Sequence, residues 1–450
     1  MMAAADPVQP FGRRGLCPAL SAPMRTGDGF LSRIAFEADI DPRDMVALCQ
    51  LAERHGNGLI DITARGSLQF RGLTPESACA LEKDVLALDL PLRAGLAVET
   101  SPLDGRDDAE IADGGPLAKK IRKEADRLAL HEKLAAKMSV VIDGGGRLSM
   151  EDLLADIRLK AVSLDGRAVW RLLVGGAESR ALNAGLVETD IAAGVVLSLL
   201  VYLAEGPFAR GRDLDHSTIK EICGDRLLDR VIVDNARAAS APLGLMITGK
   251  DHFAIAVATA FGQIRGCDLS HLCERAGTLG ITALRPAPNH SLLFFGSSSA
   301  CGGLLEIARA AGFITTAGDA RSSIAACPGA PGCASAFLPT HELAAFASGE
   351  CASLLDGSFT LHISGCGKGC AHPAPSLLTF SGTADGLAFS ISGRAGDAPD
   401  GILPFQHQRT ALSRLARLYE KEHKPGENAA TLFARLGQQA IGAALRQDDR

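Results

Sequence analysis

Two pairs of cysteines in loops rich in glycine and proline constrain this chain more than any other feature. Cys327 and Cys333 enclose Pro-Gly-Ala-Pro-Gly, and Cys366 and Cys370 enclose Gly-Lys-Gly. An iron–sulfur cluster needs thiolates that converge from loops whose backbone can approach the cluster closely. Zinc-binding cysteines usually stand about two to four residues apart, which the first pair exceeds. The pattern therefore favours an iron–sulfur cluster over zinc, with purely structural thiols as the other alternative.

Composition limits the class of protein. The 450 residues suggest about three domains, and a net charge of −6 argues against nucleic acid as the main partner. The longest apolar run, Ile191–Ala204, is shorter than the roughly 20 residues that a membrane span needs, so it predicts a buried helix. No leader peptide accompanies the twelve cysteines, which predicts a reducing compartment rather than a disulfide framework. We expect a cytoplasmic protein that does not bind membranes.

The sequence contains an internal repeat. Asp28-Gly-Phe and Ser67-Leu-Gln-Phe return as Asp251-His-Phe and Ser291-Leu-Leu-Phe, at shifts of 223 and 224 residues. Val140–Gly146 similarly aligns with Leu361–Gly367, and Gly145 stands where Cys366 does. A shared shift indicates duplication. The predicted order is A–B–A′–B′, where A and A′ are the copies that contain Asp28 and Asp251, and B and B′ are the copies that contain Val140 and Leu361. The predicted fold is α+β, and only B′ carries the cluster cysteines. The predicted segments are 16–100, 116–235, 243–300 and 301–445.

A cationic strand in the first A copy is a candidate binding site. Gln69 and Arg71 share one strand face by the period of two, and Arg65 precedes them in a turn. Guanidinium groups bind carboxylates bidentately, so this edge suits an anionic ligand, although solvated surface arginines explain the pattern equally well. Lys137 lies near the glycine loop that aligns with the cluster loop, and we expect a functional role for it.

Other cysteines and histidines give weaker signals. Cys267 and Cys273 repeat the five-residue gap, but no second pair and no Gly/Pro loop accompanies them, so they predict structural thiols. His362 and His372 flank the second cluster loop and are the histidines best placed to bind a metal or move a proton. No flavin or nicotinamide fingerprint is visible, which predicts that electrons arrive from a separate protein.

These residues together resemble the sulfite/nitrite reductase superfamily. Its cluster motif, C-x5-C followed by C-x3-C, matches the four cysteines in order, and its T-x-R-x-x-x-Q strand matches Thr63, Arg65 and Gln69. The resemblance implies two ferredoxin-like half-domains plus two cluster/tetrapyrrole-type domains. In the reductases the cysteine that matches Cys370 bridges the cluster to a sirohaem iron. The active-site lysine of the reductases is matched loosely by Lys137, without the proline that precedes it there.

Within the superfamily the chain is most similar to the precorrin-3B synthases of aerobic cobalamin synthesis. The similarity includes Pro23–Gly29, Ala326–Ala334 and Ile363–Pro373. It implies a [4Fe-4S] cluster held by Cys327, Cys333, Cys366 and Cys370, together with a mononuclear non-haem iron. The implied reaction is O₂-dependent hydroxylation of the tetrapyrrole precorrin-3A with lactone formation, NADH being the ultimate electron source through a separate reductase.

The same resemblance assigns the substrate site. Arg65, Gln69, Arg71 and Lys137 are expected to bind the macrocycle, and Lys137 and Arg65 are expected to act in catalysis. Two alternatives stay open: a sirohaem-containing sulfite or nitrite reductase, and an iron–sulfur electron carrier without catalysis.

Overall fold

The computed structural model describes residues 19–228, 230 and 243–446. The ends of two predicted segments, 16–18 and 231–235, lie outside these residues. The described chain forms two compact units. One contains residues 19, 92–228, 230 and 248–250, and the other contains residues 20–91, 243–247 and 251–446. Among the described residues, no helix is long and apolar enough to cross a membrane.

The first half-domain combines two capped helices with an antiparallel sheet. Asp41 and Thr74 cap its two helices through side-chain oxygens, and a proline follows each cap at the first helical position. Its sheet has the order β1-β2-β4-β3, with β2–β4 and β3–β4 antiparallel. The elements are β1 (Met24–Thr26), β2 (Gly29–Ile34), α1 (Pro42–His55), β3 (Leu59–Ile62), β4 (Leu68–Leu73) and α2 (Pro75–Leu86).

The first cluster-type domain has parallel and antiparallel strands in one sheet. The sheet follows the order β5-β6-β7-β8-β9, parallel up to β7 and antiparallel beyond it. The apolar run becomes the buried helix that the sequence predicts. The elements are β5 (Ala97–Thr100), α3 (Gly115–Arg127), α4 (Leu130–Lys133), β6 (Ser139–Asp143), β7 (Ala155–Leu164), β8 (Arg167–Gly176), β9 (Leu182–Glu188), α5 (Ala192–Glu205) and α6 (His216–Cys223).

One helix prediction in this domain is wrong. The Ala/Leu-rich composition of the sequence predicts a single helix over Ile121–Ala136. In the structure α3 ends at Arg127 and the short α4 follows it. Ala129, between them, has a left-handed backbone at φ 49°, which a continuous right-handed helix cannot contain.

The second half-domain repeats the first. Its sheet has the order β10-β11-β14-β13, while β12 leaves it and pairs with β3 of the first copy, with Gln263 opposite Asp61. Helix α7 packs against α1, so both copies lie in one unit. The elements are β10 (Gly244–Gly249), β11 (His252–Ala258), β12 (Gln263–Arg265), α7 (Gly266–Thr278), β13 (Ala283–Ala287), β14 (Ser291–Gly296) and α8 (Ser298–Ala310).

The second cluster-type domain has the same sheet plan as the first. Strands β15, β16 and β17 are parallel, and β18 and β19 continue antiparallel. The repeated plan supports the duplication inferred from the sequence. The elements are β15 (Ile324–Ala326), α9 (Thr340–Glu350), β16 (Leu361–Ser364), β17 (Ser376–Thr383), β18 (Gly386–Gly393), β19 (Gly401–Leu403), α10 (Gln408–Glu422) and α11 (Ala429–Arg446).

Candidate metal centre

Both cysteine loops begin where two adjacent parallel strands end. Cys327 directly follows β15, and Gly365 and Cys366 directly follow β16. Carboxyl ends of parallel neighbours meet at one edge of the sheet, so the two loops start side by side. The N–H of Gly365 donates a hydrogen bond to Sγ of Cys327 at 3.1 Å. The fold therefore brings together the two cysteine pairs, which are far apart in sequence.

The first loop has a conformation that requires glycine. Gly329 has φ 63°, and a Cβ there would lie 2.3 Å from the Thr340 hydroxyl oxygen. The carbonyl of Gly329 accepts a hydrogen bond from the N–H of Cys333 at 2.7 Å, which closes the turn between the two cysteines. The Thr340 hydroxyl in turn donates to the carbonyl of Cys327. This hydrogen bonding holds Cys327 and Cys333 in one compact turn.

The second loop packs closely on the first. The N–H of Phe337 donates to the carbonyl of Gly365 at 2.8 Å, and Nζ of Lys368 donates to Oγ of Ser335 at 2.8 Å. A Cβ on Gly365 would lie 2.6 Å from the Ala336 side chain. The small residues thus allow the loops to approach each other at backbone distance, as expected of a cluster cradle.

The thiol of Cys370 lies within electrostatic range of the other three predicted thiols. Burial, and then the charges of the Cys327, Cys366 and Cys333 thiolates, raise the pKa of the Cys370 thiol. Cys370 is exposed and the other three are partly buried. Grouped thiols of this kind fit a [4Fe-4S] cluster, whose four cysteines bind four different iron atoms.

The described residues include no mononuclear metal site beside these thiols. In the described ranges, no three His, Cys, Asp or Glu side chains lie close enough to hold a single metal ion. The grouped cysteines are compatible with that finding, because the ligands of a four-iron cluster need not converge on one point. The mononuclear iron implied by the resemblance has no ligand set in the described residues, and we assign none.

The first half-domain contributes to the cluster loop. The N–H of Gly27 donates to the carbonyl of Gly332 at 3.3 Å. A Cβ on Gly27 would lie 2.2 Å from the carbonyl oxygen of Pro331 and 2.8 Å from the carbonyl carbon of Cys333. The turn between β1 and β2 therefore lies directly against the loop that carries the first cysteine pair.

The predicted substrate ligand Arg71 is already paired within the protein. Its side chain is only 3% exposed, and its guanidinium binds the carboxylates of Asp28 and Asp61 and the carbonyl of Gly332. Four hydrogen bonds to protein groups leave little capacity for a ligand carboxylate. The sequence pattern predicts a strand at Arg71, which the structure contains as β4, but these contacts point to a role other than substrate binding.

Gln69 and Arg65 lie in different surroundings. Gln69 is buried, and with its amide oxygen turned toward Arg33 it accepts hydrogen bonds from Nε at 3.2 Å and Nη2 at 2.6 Å. Arg65 is partly buried in the turn after β3, where its backbone forms a bridge to Pro288 and its N–H lies 3.4 Å from the Thr63 hydroxyl. Substrate binding by both residues stays a prediction.

Lys137 belongs to the other compact unit. Its side chain is exposed, its φ is 66°, and its carbonyl accepts a hydrogen bond from Arg210 at 3.3 Å. A left-handed backbone is uncommon for lysine, so this turn is held in place by its neighbours. Its predicted catalytic and binding roles stay predictions.

The structure also locates the weaker candidates. Cys267 and Cys273 lie on helix α7, the first exposed and the second buried, so they lack a loop that could enclose a cluster. His362 is fully buried, with its ring centroid 5.7 Å from that of His372. Burial, and then the neighbouring His372, lower the pKa of His362 to about 4. Neither imidazole belongs to a three-ligand group among the described side chains.

Sequence reasoning missed an acidic loop in the first cluster-type domain. It connects β5 to α3, the position that the cysteine loop occupies between β15 and α9. Burial, with a contribution from neighbouring acids, raises the pKa of Asp104 to about 6 and that of Glu110 to about 8. The signal was present as five acidic residues between positions 104 and 113. One copy of the duplicated domain thus carries thiols where the other carries carboxyl groups.

Comparisons with known proteins agree with this architecture. A model of the nitrite/sulfite reductase ferredoxin-like half domain matches residues 22–88. Precorrin-3B synthase from Sinorhizobium sp is 37% identical over 439 residues, which cover 97% of this chain and 95% of that protein. The structure of the Mycobacterium tuberculosis NirA protein superimposes with a TM-score of 0.75 at 17% identity, covering 93% of this chain and 85% of NirA. The NirA likeness establishes the shared fold.

Proposed function

Because this chain belongs to the precorrin-3B synthase family, we propose that it is an oxidoreductase that converts the tetrapyrrole precorrin-3A to precorrin-3B. The reaction is an O₂-dependent hydroxylation with lactone formation. The observation that carries the proposal is the 37% identity to a precorrin-3B synthase over nearly the full length of the chain. In this chain the two cysteine loops meet at one sheet edge.

The proposed redox centre is a [4Fe-4S] cluster on Cys327, Cys333, Cys366 and Cys370. The fit rests on the adjacent strand ends, the glycine-dependent turn and the electrostatic influence of the other three thiols on Cys370. Such a cluster supplies electrons one at a time when bound. The surrounding backbone contributes N–H donors, of which Gly365 already donates to a cysteine sulfur.

The balance of the reaction defines what else must be supplied. One atom of O₂ enters the product and the other leaves as water, which requires two electrons and two protons. NADH is the proposed source of electrons, through a separate reductase partner. A polycarboxylate macrocycle also needs cationic groups, and Arg65 is the candidate that we propose for a peripheral carboxylate. A cytoplasmic location stays a prediction.

Isotope labelling tests the reaction class. The anaerobically purified protein is given precorrin-3A and a chemical reductant or a generic ferredoxin reductase, under ¹⁸O₂ and separately in H₂¹⁸O. We expect one ¹⁸O atom from the gas, none from water, and no turnover without oxygen. Anaerobic conversion, or efficient sulfite or nitrite reduction by the same preparation, would contradict the proposal.

Spectroscopy on that preparation separates the alternatives without turnover. A sirohaem reductase would show intense Soret and red absorption bands, whereas an iron–sulfur protein shows a broad brown shoulder. A protein with normal cluster spectra that binds no tetrapyrrole would instead be an electron carrier. The matched control is Cys267→Ser, which removes an exposed thiol on helix α7 and should change neither spectrum nor turnover.

A further inference from the structure

Arg71 forms a buried ion triad under the cluster loop. Its Nε and Nη2 donate to Asp28 at 3.0 Å each, and its Nη1 donates to Asp61 at 2.9 Å. Burial opposes the charge on the guanidinium, but Asp61 and Asp28 outweigh it and raise the pKa of Arg71. The side chain is therefore a permanent cation between two carboxylates.

Both carboxylates are held by further donors. Asp28 accepts from the Thr26 hydroxyl at 2.8 Å and from the Asn57 amide at 3.2 Å. Asp61 accepts from the Gln263 amide at 2.8 Å, across the strand pair that joins the two half-domain copies. A buried ionic network whose members are satisfied fixes geometry strongly, because breaking one member leaves buried charge without a partner.

The remaining contact of the guanidinium is to the cluster loop itself. Nη2 of Arg71 donates to the carbonyl of Gly332, which also accepts from the N–H of Gly27. Gly332 directly precedes Cys333, so the orientation of their shared peptide is set by these two donors. A Cβ on Gly332 would lie 3.0 Å from Nη2, which shows how closely the guanidinium approaches.

We propose that Arg71 is a positioning residue for the cluster rather than a ligand of the substrate: with Asp28 and Asp61 it fixes the Gly332 peptide and hence the thiolate of Cys333. The proposal rests on the cluster assigned under the proposed function, but it does not depend on the oxygenation reaction.

The triad also contributes to the electrostatics of the cluster. A four-iron cluster on four thiolates is net negative, so a nearby buried cation favours the reduced state and a nearby carboxylate disfavours it. Removal of the Arg71 charge should therefore lower the midpoint potential, and neutralisation of Asp28 should raise it. If the triad only supported folding, substitutions of Arg71 and Asp28 would not be expected to shift the midpoint potential in opposite directions.

The experiment compares Arg71→Ala, Arg71→Lys and Asp28→Asn with Arg43→Ala. Arg43 is a matched control, since it pairs with Asp41 at 2.8 Å in the same half-domain but is exposed. The measurements are the rate of cluster loss in the presence of an iron chelator, the EPR spectrum of the reduced cluster, and its midpoint potential. We expect about tenfold faster loss in Arg71→Ala, because breaking a buried ion pair is strongly destabilising.

The conservative variants distinguish geometry from charge. Arg71→Lys retains the positive charge but lacks the planar guanidinium with its paired donors. The midpoint potential of the cluster should therefore stay near that of the wild type, while cluster loss becomes faster. Asp28→Asn keeps the shape of the side chain and supplies the test if Arg71→Ala fails to fold. Cluster loss, EPR spectrum and potential that match Arg43→Ala in all variants would overturn the proposal.

Three further outcomes are informative. Weaker tetrapyrrole binding in Arg71→Ala with an unchanged cluster would restore Arg71 as a substrate ligand and contradict the positioning role. A wild-type protein that assembles no iron–sulfur cluster would overturn the cluster assignment and this inference together. Failure of the ¹⁸O₂ experiment with a normal cluster would overturn only the proposed oxygenation.

Discussion

Gly365 donates its N–H to Sγ of Cys327 across 3.1 Å, although 37 residues separate them in the chain. The parallel pairing of β15 with β16 places the two groups together. Hydrogen bonds from backbone N–H groups to thiolate sulfur stabilise the charged form that binds iron. The fold thus supplies a backbone hydrogen-bond donor to the sulfur of Cys327, one of the four proposed ligands.

We expect Cys366→Ser to remove the cluster absorbance and the activity together. A serine hydroxyl replaces one of the thiolates that the four-iron cluster requires. The measurement is iron and acid-labile sulfide per chain beside the visible spectrum. Cys267→Ser serves as the control, because that thiol is exposed on helix α7 and is not part of either cysteine loop. Wild-type iron and sulfide content in Cys366→Ser would remove Cys366 from the ligand set.

The cluster loops could be predicted from sequence because their signals are local. Each cysteine pair is short-range, and the glycines and prolines between the cysteines exclude regular helix. The duplication was visible as well, since nearly equal shifts of 224 and 221 residues relate Ser67 to Ser291 and Val140 to Leu361. The repeated sheet order in the structure follows from those shifts. Local composition and repetition were therefore sufficient to predict the duplicated α+β order, while the types of domain came from the resemblance to the reductase superfamily.

The role of Arg71 could not be predicted, because its partners are distant in sequence. Asp28 precedes Arg71 by 43 residues, and the cluster loop follows it by 261 residues. Spacing on a strand shows which face a side chain occupies, but not what packs against that face. One usable signal was Asp61, a carboxylate within the apolar strand Leu59–Ile62, since a buried acid needs a buried partner.

Gly27→Ala should damage the cluster more than the fold. The added methyl group would lie 2.2 Å from the carbonyl oxygen of Pro331, so the cluster loop must shift. Overpacking of this kind costs about 1–3 kcal/mol. Iron content and the thermal midpoint are measured together. Gly302→Ala is the matched control, because a Cβ at Gly302 on helix α8 meets no atom within 4 Å.

The control Gly302→Ala should raise the free energy of unfolding by about 0.5–1 kcal/mol, since alanine is the better helix former. An unchanged iron content in Gly27→Ala would show that the turn between β1 and β2 is not needed to hold the loop.

Arg65→Ala should weaken tetrapyrrole binding while leaving the cluster intact. Loss of a desolvated bidentate pair costs on the order of 2–4 kcal/mol, or roughly thirty- to a thousand-fold in affinity. Affinity is measured by titration with the macrocycle, and the visible spectrum reports the cluster. Arg43→Ala, which removes an exposed arginine of the same half-domain, is the control for net charge. Equal affinity in wild type and Arg65→Ala would exclude Arg65 from the substrate site.

Glu110→Gln should flatten the dependence of stability on pH. Burial, with the nearby Asp104 and Asp107, raises the pKa of Glu110 from 4.5 to about 8, while the backbone N–H of Gly105 opposes the shift. A folded state that holds the proton more tightly than the unfolded state is most stable below pH 4.5 and loses that contribution as the pH rises through about 8. The wild-type thermal midpoint should therefore fall between about pH 5 and pH 8.

The neutral variant should lose less stability over the same range, because glutamine has no charge to be buried. Its side chain can still accept the Gly105 N–H that Oε2 of Glu110 accepts at 3.0 Å. Glu124→Gln, which removes a surface carboxylate paired with Arg127 at 2.7 Å, controls for the loss of one negative charge. Thermal midpoints of all three proteins are compared in buffers of equal ionic strength. If Glu110→Gln follows the wild-type curve, Glu110 is ionised at neutral pH, and the acidic loop must hold its charge by other means.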